Sequence, residues 1–304
     1  MTNKIFSIIV TFNPDLFQFA DVIELHLNTN VDSLVIVDND SNNSVEIHDL
    51  IQKSIKKKPI IFVKLTKNEG IAYAQNEGIK RAFESNCTHI VLFDQDSKIP
   101  HDFIENLIEQ ENELNILGYK VGAIGPVYLD PRSKNFYPLI RTKGIFIEKV
   151  WPDREIEKNI KASFIIASGS LIKTSTIKEV GLMDDSLFID CVDIEWCFRA
   201  ASKGYILFAS KSTEISHSIG DKRVRSLGRE ISIHSPLRRY YMIRNNLILS
   251  KIQWVPLGYR ARIVFGLILN VSIHLFDVSF KKEYVKFTFK GILDGILNKK
   301  GAYR

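Results

Sequence analysis

Short apolar runs alternate with segments of helical periodicity through the first third of the chain, and this alternation constrains the fold more than any other feature. The apolar runs predict strands, and the segments between them carry apolar residues at helical spacing. Strands separated by helices of this length predict a parallel sheet with helices on both faces, an α/β fold of the dinucleotide-binding type. The predicted strands cover residues 6–12, 33–37, 59–65 and 90–94, and the predicted helices cover residues 16–28, 45–55 and about 69–84.

Polar residues stand where each of these predicted strands ends. In chain order they are Thr11, Asp38, Asn68, Asp94 and Asp96, of which Asn68 is also the predicted N-cap of the third helix. Any one of them is explained by ordinary turn chemistry. Ligands of such a sheet bind at the carboxyl ends of its strands, so together they predict a polar rim suited to a nucleotide. On that rim Asp38 is placed to accept a hydrogen bond from a base imide N–H.

Asp94 and Asp96 are the candidate metal ligands. Period-two alternation predicts that both carboxylates lie on the same side of the chain, where they would repel each other without a cation between them. Mg²⁺ or Mn²⁺ fits, since both take oxygen ligands and Mg²⁺ is usually held by one or two carboxylates plus substrate phosphates. A solvated loop with two acids is the structural alternative. No glycine-rich phosphate loop follows the first strand, which argues against a nicotinamide cofactor or a P-loop nucleotide hydrolase.

Composition places the chain among globular proteins of a reducing compartment. A chain of 304 residues with 45% hydrophobic content can bury a large core and has room for one large domain plus an extension. Its three cysteines have no metal-ligand spacing and indicate no disulfide framework. The apolar run at the amino terminus is too short for a secretory signal. These features predict a cytoplasmic protein.

The charge is distributed unevenly along the chain. Residues 221–304 carry 17 Lys and Arg against 5 Asp and Glu, a net charge of +12, and because the whole chain has +6, residues 1–220 carry −6. We therefore expect a catalytic domain over residues 1–220 and a basic, helical region over residues 221–304. A basic tail indicates an anionic partner, either nucleic acid or the cytoplasmic face of a membrane.

The basic region is predicted to contain a basic loop at residues 222–229 and a helix at residues 235–251 that carries Arg238, Arg239 and Arg244. Residues 259–280 are largely apolar but are interrupted by polar residues, so they fall short of a membrane span and predict an interfacial helix. A packed helical hairpin or a dimer interface is the alternative. Basic side chains interleaved with aromatic ones follow, as expected of a segment lying on anionic lipid, and they are Lys281, Lys282, Lys286 and Lys290.

Three acids, Asp190, Asp193 and Glu195, precede a segment at residues 196–201 that is typical of a helix start. Acids at a helix amino terminus complement the helix dipole and cap free N–H groups, which explains two of the three. The third remains available as a candidate general base, a group that takes a proton from a reacting hydroxyl.

Several motifs resemble those of family 2 of the inverting glycosyltransferases, which have the GT-A fold. They are Asn68-Glu69-Gly70-Ile71-Ala72, Asn76-Glu77-Gly78-Ile79 and Phe93-Asp94-Gln95-Asp96-Ser97. The Asp-Gln-Asp-Ser variant is similar specifically to the bacterial rhamnosyltransferases, as are Gly169-Ser170, the run at residues 188–199, and the residues Arg239-Tyr240-Tyr241 and Arg244-Asn245. The resemblance extends over essentially the whole chain.

The resemblance implies a role for particular residues of this sequence. It assigns Asp193 as the catalytic base, although the family's preceding acid is replaced by Val192, and Asp190 and Glu195 remain nearby alternatives. His217, in a His-x-x-Gly match, joins Asp94 and Asp96 as a third metal ligand. The nucleotide-sugar-binding residues implied in this way are Thr11, Asp38, Asn68, Gly70, Asn76, Asp94, Gly169 and Arg244.

The activity implied by the resemblance is inverting, metal-dependent transfer of L-rhamnose from dTDP-β-L-rhamnose to a lipid-linked saccharide of a bacterial surface polysaccharide, O-antigen or capsule. It places the enzyme peripherally on the inner face of the cell membrane, with an anionic membrane surface as partner and no nucleic acid, and it is compatible with a homo-oligomer. In related enzymes, the segment that corresponds to the basic loop at residues 222–229 often covers the donor diphosphate. The alternatives are another donor such as a UDP-sugar or a galactofuranose donor, a nucleotidyltransferase releasing pyrophosphate, and a non-catalytic nucleotide-binding or membrane-scaffold protein.

Overall fold

A computed structural model gives the fold of the chain. It describes residues 3–54, 58–216, 222–226, 229–233, 235–276 and 282–303, and within these it describes no side chains for residues 222–226, 229–233, 270 and 272–276. His217 and Lys281 of the sequence predictions lie outside the described residues.

The strands of the central sheet are β1 (Ile5–Thr11), β2 (Ser33–Asp38), β3 (Ile60–Lys64), β4 (His89–Asp94), β5 (Val121–Leu129), β8 (Asn159–Ala162), β9 (Ser170–Lys173) and β10 (Ile206–Ser216). In the described part of the chain they form one eight-stranded sheet in the order β3-β2-β1-β4-β9-β5-β10-β8. The first four strands pair in parallel, as does β5 with β10, whereas β9 and β8 run antiparallel to their neighbours. The mostly parallel sheet predicted from the sequence is thus confirmed.

Two short antiparallel hairpins lie outside this sheet, β6 (Leu139–Lys143) with β7 (Phe146–Val150) and β11 (Lys222–Ser226) with β12 (Arg229–Ile233). The second hairpin corrects the prediction of a basic loop at residues 222–229. Val224 and Ile231 pair across it, and alternating apolar residues of this kind favour strands over an irregular loop.

The helices are α1 (Leu16–Leu27), α2 (Ser44–Ser54), α3 (Ile71–Glu84), α4 (Phe103–Ile116), α5 (Thr174–Val180), α6 (Val192–Ser202), α7 (Pro236–Leu249), α8 (Leu257–Phe276) and α9 (Lys282–Ile296). They cover the sheet on both faces and create a core on each. One core packs α3, α5 and α6 against one face of the sheet, and the other packs α1, α2 and α4 against the opposite face. The carboxyl ends of β1, β2 and β4 lie side by side at one edge of the sheet, and this edge is the rim.

The carboxy-terminal helices pack on the catalytic part of the chain. Helix α7 lies along α9, and α8 contributes Tyr259 and Ile263 to a third apolar cluster with Cys191 and Phe198 of the α6 region. In the described residues no helix is long and apolar enough to cross a membrane. The predicted boundary between residues 220 and 221 falls outside the described residues, so the division into two domains stays a prediction.

Candidate functional site

The rim predicted from the strand ends brings Thr11, Asp38 and Asp94 together. Thr11 lies beside Asp38 in the parallel pairing of β1 with β2, and Asp94 lies beside Val10 on the other side of β1. Side chains alternate between the two faces of a sheet, so this register puts Thr11 and Asp38 on one face and Asp94, opposite Val10, on the other. The three residues therefore line the same edge of the sheet, on neighbouring strands about 4.8 Å apart.

Asp38 is fully buried, and one of its carboxylate oxygens has no partner among the described residues. Its Oδ1 accepts hydrogen bonds from the Thr11 hydroxyl at 3.2 Å and from the backbone N–H of Ser41 at 3.3 Å. These two donors fix the orientation of the carboxylate, whereas its Oδ2 is unbonded. A buried acceptor without a partner is costly, so this oxygen suits a ligand N–H, as predicted for a base.

Asn68 does not cap α3, which corrects the sequence prediction. The N-cap is Gly70, with φ of 88°, and the Asn68 side-chain oxygen accepts from the Gly70 N–H at 3.0 Å and from the Asn39 amide at 3.1 Å. Asn39 in turn accepts from the Glu69 N–H at 3.0 Å. Asn68 therefore fastens the start of α3 to the loop after β2. A Cβ on Gly70 would lie 2.4 Å from the carbonyl oxygen of Phe188, so a glycine is required there.

Asn76 does not face the rim. Its buried side-chain amide donates to the Met183 carbonyl at 2.9 Å and accepts from the Met183 N–H at 3.0 Å, so both ends of the amide are occupied. The predicted contact with a nucleotide sugar is corrected accordingly. Asn76 is a structural link between α3 and the loop that precedes α6.

Gly169 has a backbone role beside the rim. Its φ is 78°, and a Cβ would lie 2.9 Å from side-chain atoms of Ile215 and Pro126. Its N–H donates to the Leu92 carbonyl at 2.6 Å. This glycine allows the loop before β9 to approach β4 closely, just before Asp94.

Asp94 is the last residue of β4, whereas Asp96 lies in the following turn. The Ser97 N–H donates to the Asp94 carbonyl at 3.1 Å and closes the turn. Period-two alternation therefore does not apply across this pair, because the strand ends before Asp96. Asp94 is partly exposed and Asp96 is exposed, so both carboxylates are accessible from the rim.

A buried network holds this acidic turn. The Ser168 hydroxyl lies 2.6 Å from the Ser97 hydroxyl and accepts from the Asp94 N–H at 3.3 Å, while the Tyr128 hydroxyl donates to the Ser168 carbonyl. The ring of His26 contacts the Ser97 carbonyl through Nε2 at 3.2 Å. Burial lowers the pKa of His26 to about 4, so its ring is neutral and Nε2 carries the proton that this carbonyl accepts.

Asp193 lies in the first turn of α6, as its helix-start position requires. Burial raises the pKa of Asp193 to about 6, against hydrogen bonds from the N–H groups of Ile194 and Ala167 that lower it. The nearby charges of Asp190 and Asp94 raise it further. A carboxylate with a pKa close to neutral is suited to general base catalysis. The structure thus brings the candidate base and the candidate metal ligand Asp94 into one site.

The two neighbouring acids are engaged differently from Asp193. Glu195 is buried and accepts two hydrogen bonds from Arg199, at 2.9 and 2.8 Å, one turn further along the same helix. Asp190 contacts the Arg238 guanidinium at 3.4 Å. Glu195 is therefore explained by structure alone, which leaves Asp193 and Asp190 beside the rim.

Arg244 is buried away from solvent and donates only to groups of the protein. Its guanidinium donates to the Gly301 carbonyl at 2.5 Å, to the Leu187 carbonyl at 2.9 Å and to the Asn245 side-chain oxygen at 2.9 Å. The predicted contact with a nucleotide sugar is corrected, since the guanidinium is only 1% exposed and is directed at acceptors within the protein.

Sequence reasoning did not single out Tyr128 and Ser168, which shape the site, and it quoted Gln95 only as part of a motif. The Gln95 side chain accepts from the Phe12 N–H at 2.7 Å and ties the acidic turn to the end of β1. Burial and the charges of Asp94 and Asp193 raise the pKa of Tyr128 well above its usual value. The Ser168-Gly169-Ser170 run was a detectable signal, whereas a tyrosine within an apolar strand gives none.

A divalent cation is compatible with the residues at the rim. In the described part of the chain no group of three or more His, Cys, Asp and Glu side chains is arranged to hold a metal. Two accessible carboxylates, Asp94 and Asp96, agree with the usual Mg²⁺ site, which is completed by water and substrate phosphates.

The chain is similar to known proteins in sequence and in fold. The profile described as "Glycosyl transferase family 2" matches residues 8–181. The chain is 34% identical to the "dTDP-rhamnosyl transferase RfbF" of Shigella flexneri over 100% of this chain and 99% of that protein.

Solved structures resemble the fold at low identity. GalNAc-T7, crystallised with UDP, GalNAc and Mn²⁺, has a TM-score of 0.61 at 13% identity over 97% of this chain and 56% of that one. The mannosyltransferase PcManGT of Pyrobaculum calidifontis, in complex with GDP-Man and Mn²⁺, has a TM-score of 0.60 at 12% identity, covering 98% and 88% of the two chains. These similarities confirm the GT-A fold expected from the sequence.

Replacing Asp193 by Asn should stabilise the protein at pH 8, by on the order of 1 kcal/mol, because it removes a desolvated charge. The gain should shrink as pH falls from about 6 to about 4, where wild-type Asp193 takes up its proton on folding. Urea unfolding of both proteins at pH 8, 6 and 4 measures this. His26 titrates in the same range in both proteins and cancels in the difference. Exposed Asp153→Asn is the control, and a gap that widens on acidification would contradict the assignment.

Proposed function

The chain belongs to glycosyl transferase family 2, and we propose from this premise that it transfers L-rhamnose from dTDP-β-L-rhamnose to a saccharide acceptor with inversion of the anomeric centre. The observation that carries the proposal is the similarity to a dTDP-rhamnosyl transferase along the whole length of both chains. The site supports it, since a carboxylate with a raised pKa lies beside the rim where a nucleotide sugar would bind.

Asp193 supplies the proton transfer in this proposal. Its carboxylate takes the proton of the acceptor hydroxyl as that oxygen forms a bond to the anomeric carbon and the bond to the donor diphosphate breaks. Attack from the face opposite the departing dTDP converts the β-linked donor to an α-L-rhamnoside in one displacement. No protein nucleophile is needed, and a pKa of about 6 leaves Asp193 mostly ionised at neutral pH.

The donor is held in this proposal by groups on the rim. The unbonded Oδ2 of Asp38 accepts the imide N–H of thymine, and the Thr11 hydroxyl keeps the carboxylate in place. Asp94 and Asp96 would hold Mg²⁺ or Mn²⁺, which would supply stabilisation of the negative charge on the diphosphate. The turn bonds from Ser97 and Ser168 fix the backbone that carries both carboxylates.

We also propose that the enzyme lies on the inner face of the cell membrane, where a lipid-linked acceptor of surface polysaccharide synthesis is available. Helix α8 exposes an apolar stripe on its outer side, and Phe265 is 64% exposed. The stripe consists of Leu257, Val264, Phe265, Ile268 and Leu269. Helix α9 exposes Phe289 and Leu293 near Lys286. Apolar side chains flanked by lysines are typical of a surface that binds anionic lipid.

The donor and the metal are tested by one assay. Offered dTDP-β-L-rhamnose, UDP-galactose and GDP-mannose, the protein should release nucleoside diphosphate fastest from the first, and EDTA should abolish the release. Asp96→Asn should lower the rate at least about 10²-fold, because the cation supplies several kcal/mol of charge stabilisation. Asp153→Asn, an exposed acid on the surface, should have no effect. Pyrophosphate as the product would identify a nucleotidyltransferase instead, and full activity in EDTA would exclude the metal.

The base is tested by comparing three acids. Asp193→Asn should reduce kcat for transfer at least about 10²-fold with little change in donor KM, because proton abstraction and donor binding use different groups. In the wild type, kcat should fall on acidification with an apparent pKa near 6. Glu195→Gln should mainly lower stability, through its lost ion pair with Arg199. An inactive Asp190→Asn together with an active Asp193→Asn would move the base to Asp190.

The membrane surface is tested by sedimentation with anionic liposomes. Lys282 and Lys286 are exposed, whereas Lys290 is paired with Asp294 at 2.5 Å, so the double variant Lys282→Gln and Lys286→Gln is the informative one. At roughly 1 kcal/mol per lysine, it should weaken binding at least about tenfold, and donor hydrolysis should persist.

An apolar variant and its control complete the membrane test. Phe265→Ser should weaken liposome binding even at high salt, because apolar insertion is not screened. Phe17→Ser, an exposed aromatic on α1, should bind as the wild type does. Equal recovery of the wild type in the supernatant with and without liposomes would assign this stripe to a subunit interface.

A further inference from the structure

The segment that leads into α6 has an unusual backbone. Phe188, Asp190 and Cys191 all have positive φ, at 67°, 64° and 65°, although none is glycine. Side chains with a Cβ are disfavoured in this region, and such strain persists only where the surroundings hold it. The segment ends directly before Val192, the first residue of α6, so its shape sets where Asp193 lies.

Asn245 of α7 is the residue that holds this segment. Its side-chain amide is fully buried and donates to the carbonyls of Leu187 at 2.8 Å, Ile189 at 2.6 Å and Asp190 at 3.1 Å. Two amide hydrogens are thus shared among three acceptors that follow one another along the strained chain. The Asn245 side-chain oxygen is fixed in turn by Arg244 at 2.9 Å, which sets the direction of the amide.

Residues 301–303 form further contacts with Arg244 and with the chain around the strained segment. Arg244 donates to the Gly301 carbonyl at 2.5 Å, and the Gly301 N–H donates to the Ser186 carbonyl at 2.6 Å. The Phe188 ring stacks on Tyr241 with centroids 4.8 Å apart and the planes at 10°. The Tyr241 hydroxyl accepts from the Tyr303 N–H at 2.7 Å. Residues 301–303 therefore bind the chain directly at Ser186, just before the strained segment, and support Phe188 indirectly through Tyr241.

The other end of α6 is fixed independently of this arrangement. The Trp196 indole N–H donates to the Gly181 carbonyl at 2.9 Å, and Arg199 donates to the Val180 carbonyl at 2.9 Å and the Leu182 carbonyl at 2.7 Å. With the body of α6 held there, a change at residues 187–191 moves mainly the first turn. That turn carries Asp193.

We infer that Asn245, oriented by Arg244 and supported by Gly301, is a positioning residue that holds the strained segment at residues 187–191 and so places the Asp193 carboxylate for proton abstraction. This inference rests on the proposed function, in which Asp193 is the base. The carboxy terminus of the chain thereby takes part in the transfer reaction without contacting the substrate.

The test compares two neighbouring asparagines of α7. Asn245→Ala should lower kcat for rhamnosyl transfer at least tenfold while the donor KM stays within about threefold. Hydrogen exchange of the amides of residues 186–194 should be faster. The fall of kcat on acidification should also occur at lower pH, because a more hydrated Asp193 has a lower pKa. Asn246→Ala is the matched control, since its amide donates only to the Met242 carbonyl of its own helix, at 2.8 Å, and it should match the wild type.

A second variant keeps the inference testable if Asn245→Ala fails to fold. Deletion of residues 301–304 leaves Asn245 in place but removes the support at Gly301, and it should lower kcat less than Asn245→Ala does, with the same direction of pH shift. If Asn245 had a purely structural role, the variant would contain fewer folded active sites. The stoichiometry of donor binding counts those sites, so kcat per folded site and its pH dependence would equal those of the wild type. Wild-type kcat and pH profile in either folded variant overturn the inference.

Asp193→Asn is assayed alongside to separate the two proposals. An inactive Asp193→Asn with a fully active Asn245→Ala overturns the positioning role and leaves the proposed function standing. An active Asp193→Asn overturns the assignment of the base, and the inference about Asn245 falls with it.

Discussion

Repulsion among carboxylates at the rim is the constraint on which the rest of the site depends. Asp94 and Asp190 both raise the pKa of Asp193, in addition to the larger effect of its burial. Each acid is compensated by a different group. Asp190 has the Arg238 guanidinium, Asp193 has two backbone N–H groups, and Asp94 has the cation that we propose for it. Their different surroundings separate their roles, because burial, more than repulsion, raises the pKa of Asp193 to about 6, as suits a general base.

Most of the framework of the site could be predicted from the sequence, because it depends on local patterns. Apolar runs locate the first four strands to within one or two residues, and parallel pairing then brings Thr11, Asp38 and Asp94 to one edge without further information. The strands from β5 to β9 were not predicted. Among these, β9 enters the sheet antiparallel between β4 and β5, and no local pattern specifies such a partner.

The site predictions that failed concern side chains whose partners are far away in the sequence. Asn76 bonds to Met183, 107 residues later, and Arg244 bonds to Leu187, 57 residues earlier. From the sequence alone, an asparagine near the glycines of a helix start and an arginine on a basic helix both look like ligand-binding residues. Only the fold shows that their hydrogen bonds are satisfied within the protein, since buried polar groups take whichever partner packing brings to them.

The acidic and basic parts of the chain pack on each other. The acidic and basic parts of the chain share the apolar cluster in which Tyr259 of α8 meets Phe198 of α6 at 4.9 Å between ring centroids. Helix α8 therefore has two faces with different surroundings, one packed near the candidate base and one exposed as the apolar stripe. If the stripe lies on lipid as proposed, Asp193 is separated from the bilayer by little more than the width of a helix, about 10 Å. A saccharide attached to a lipid can span such a distance, so the packing of α8 joins the proposed location of the enzyme to its proposed acceptor.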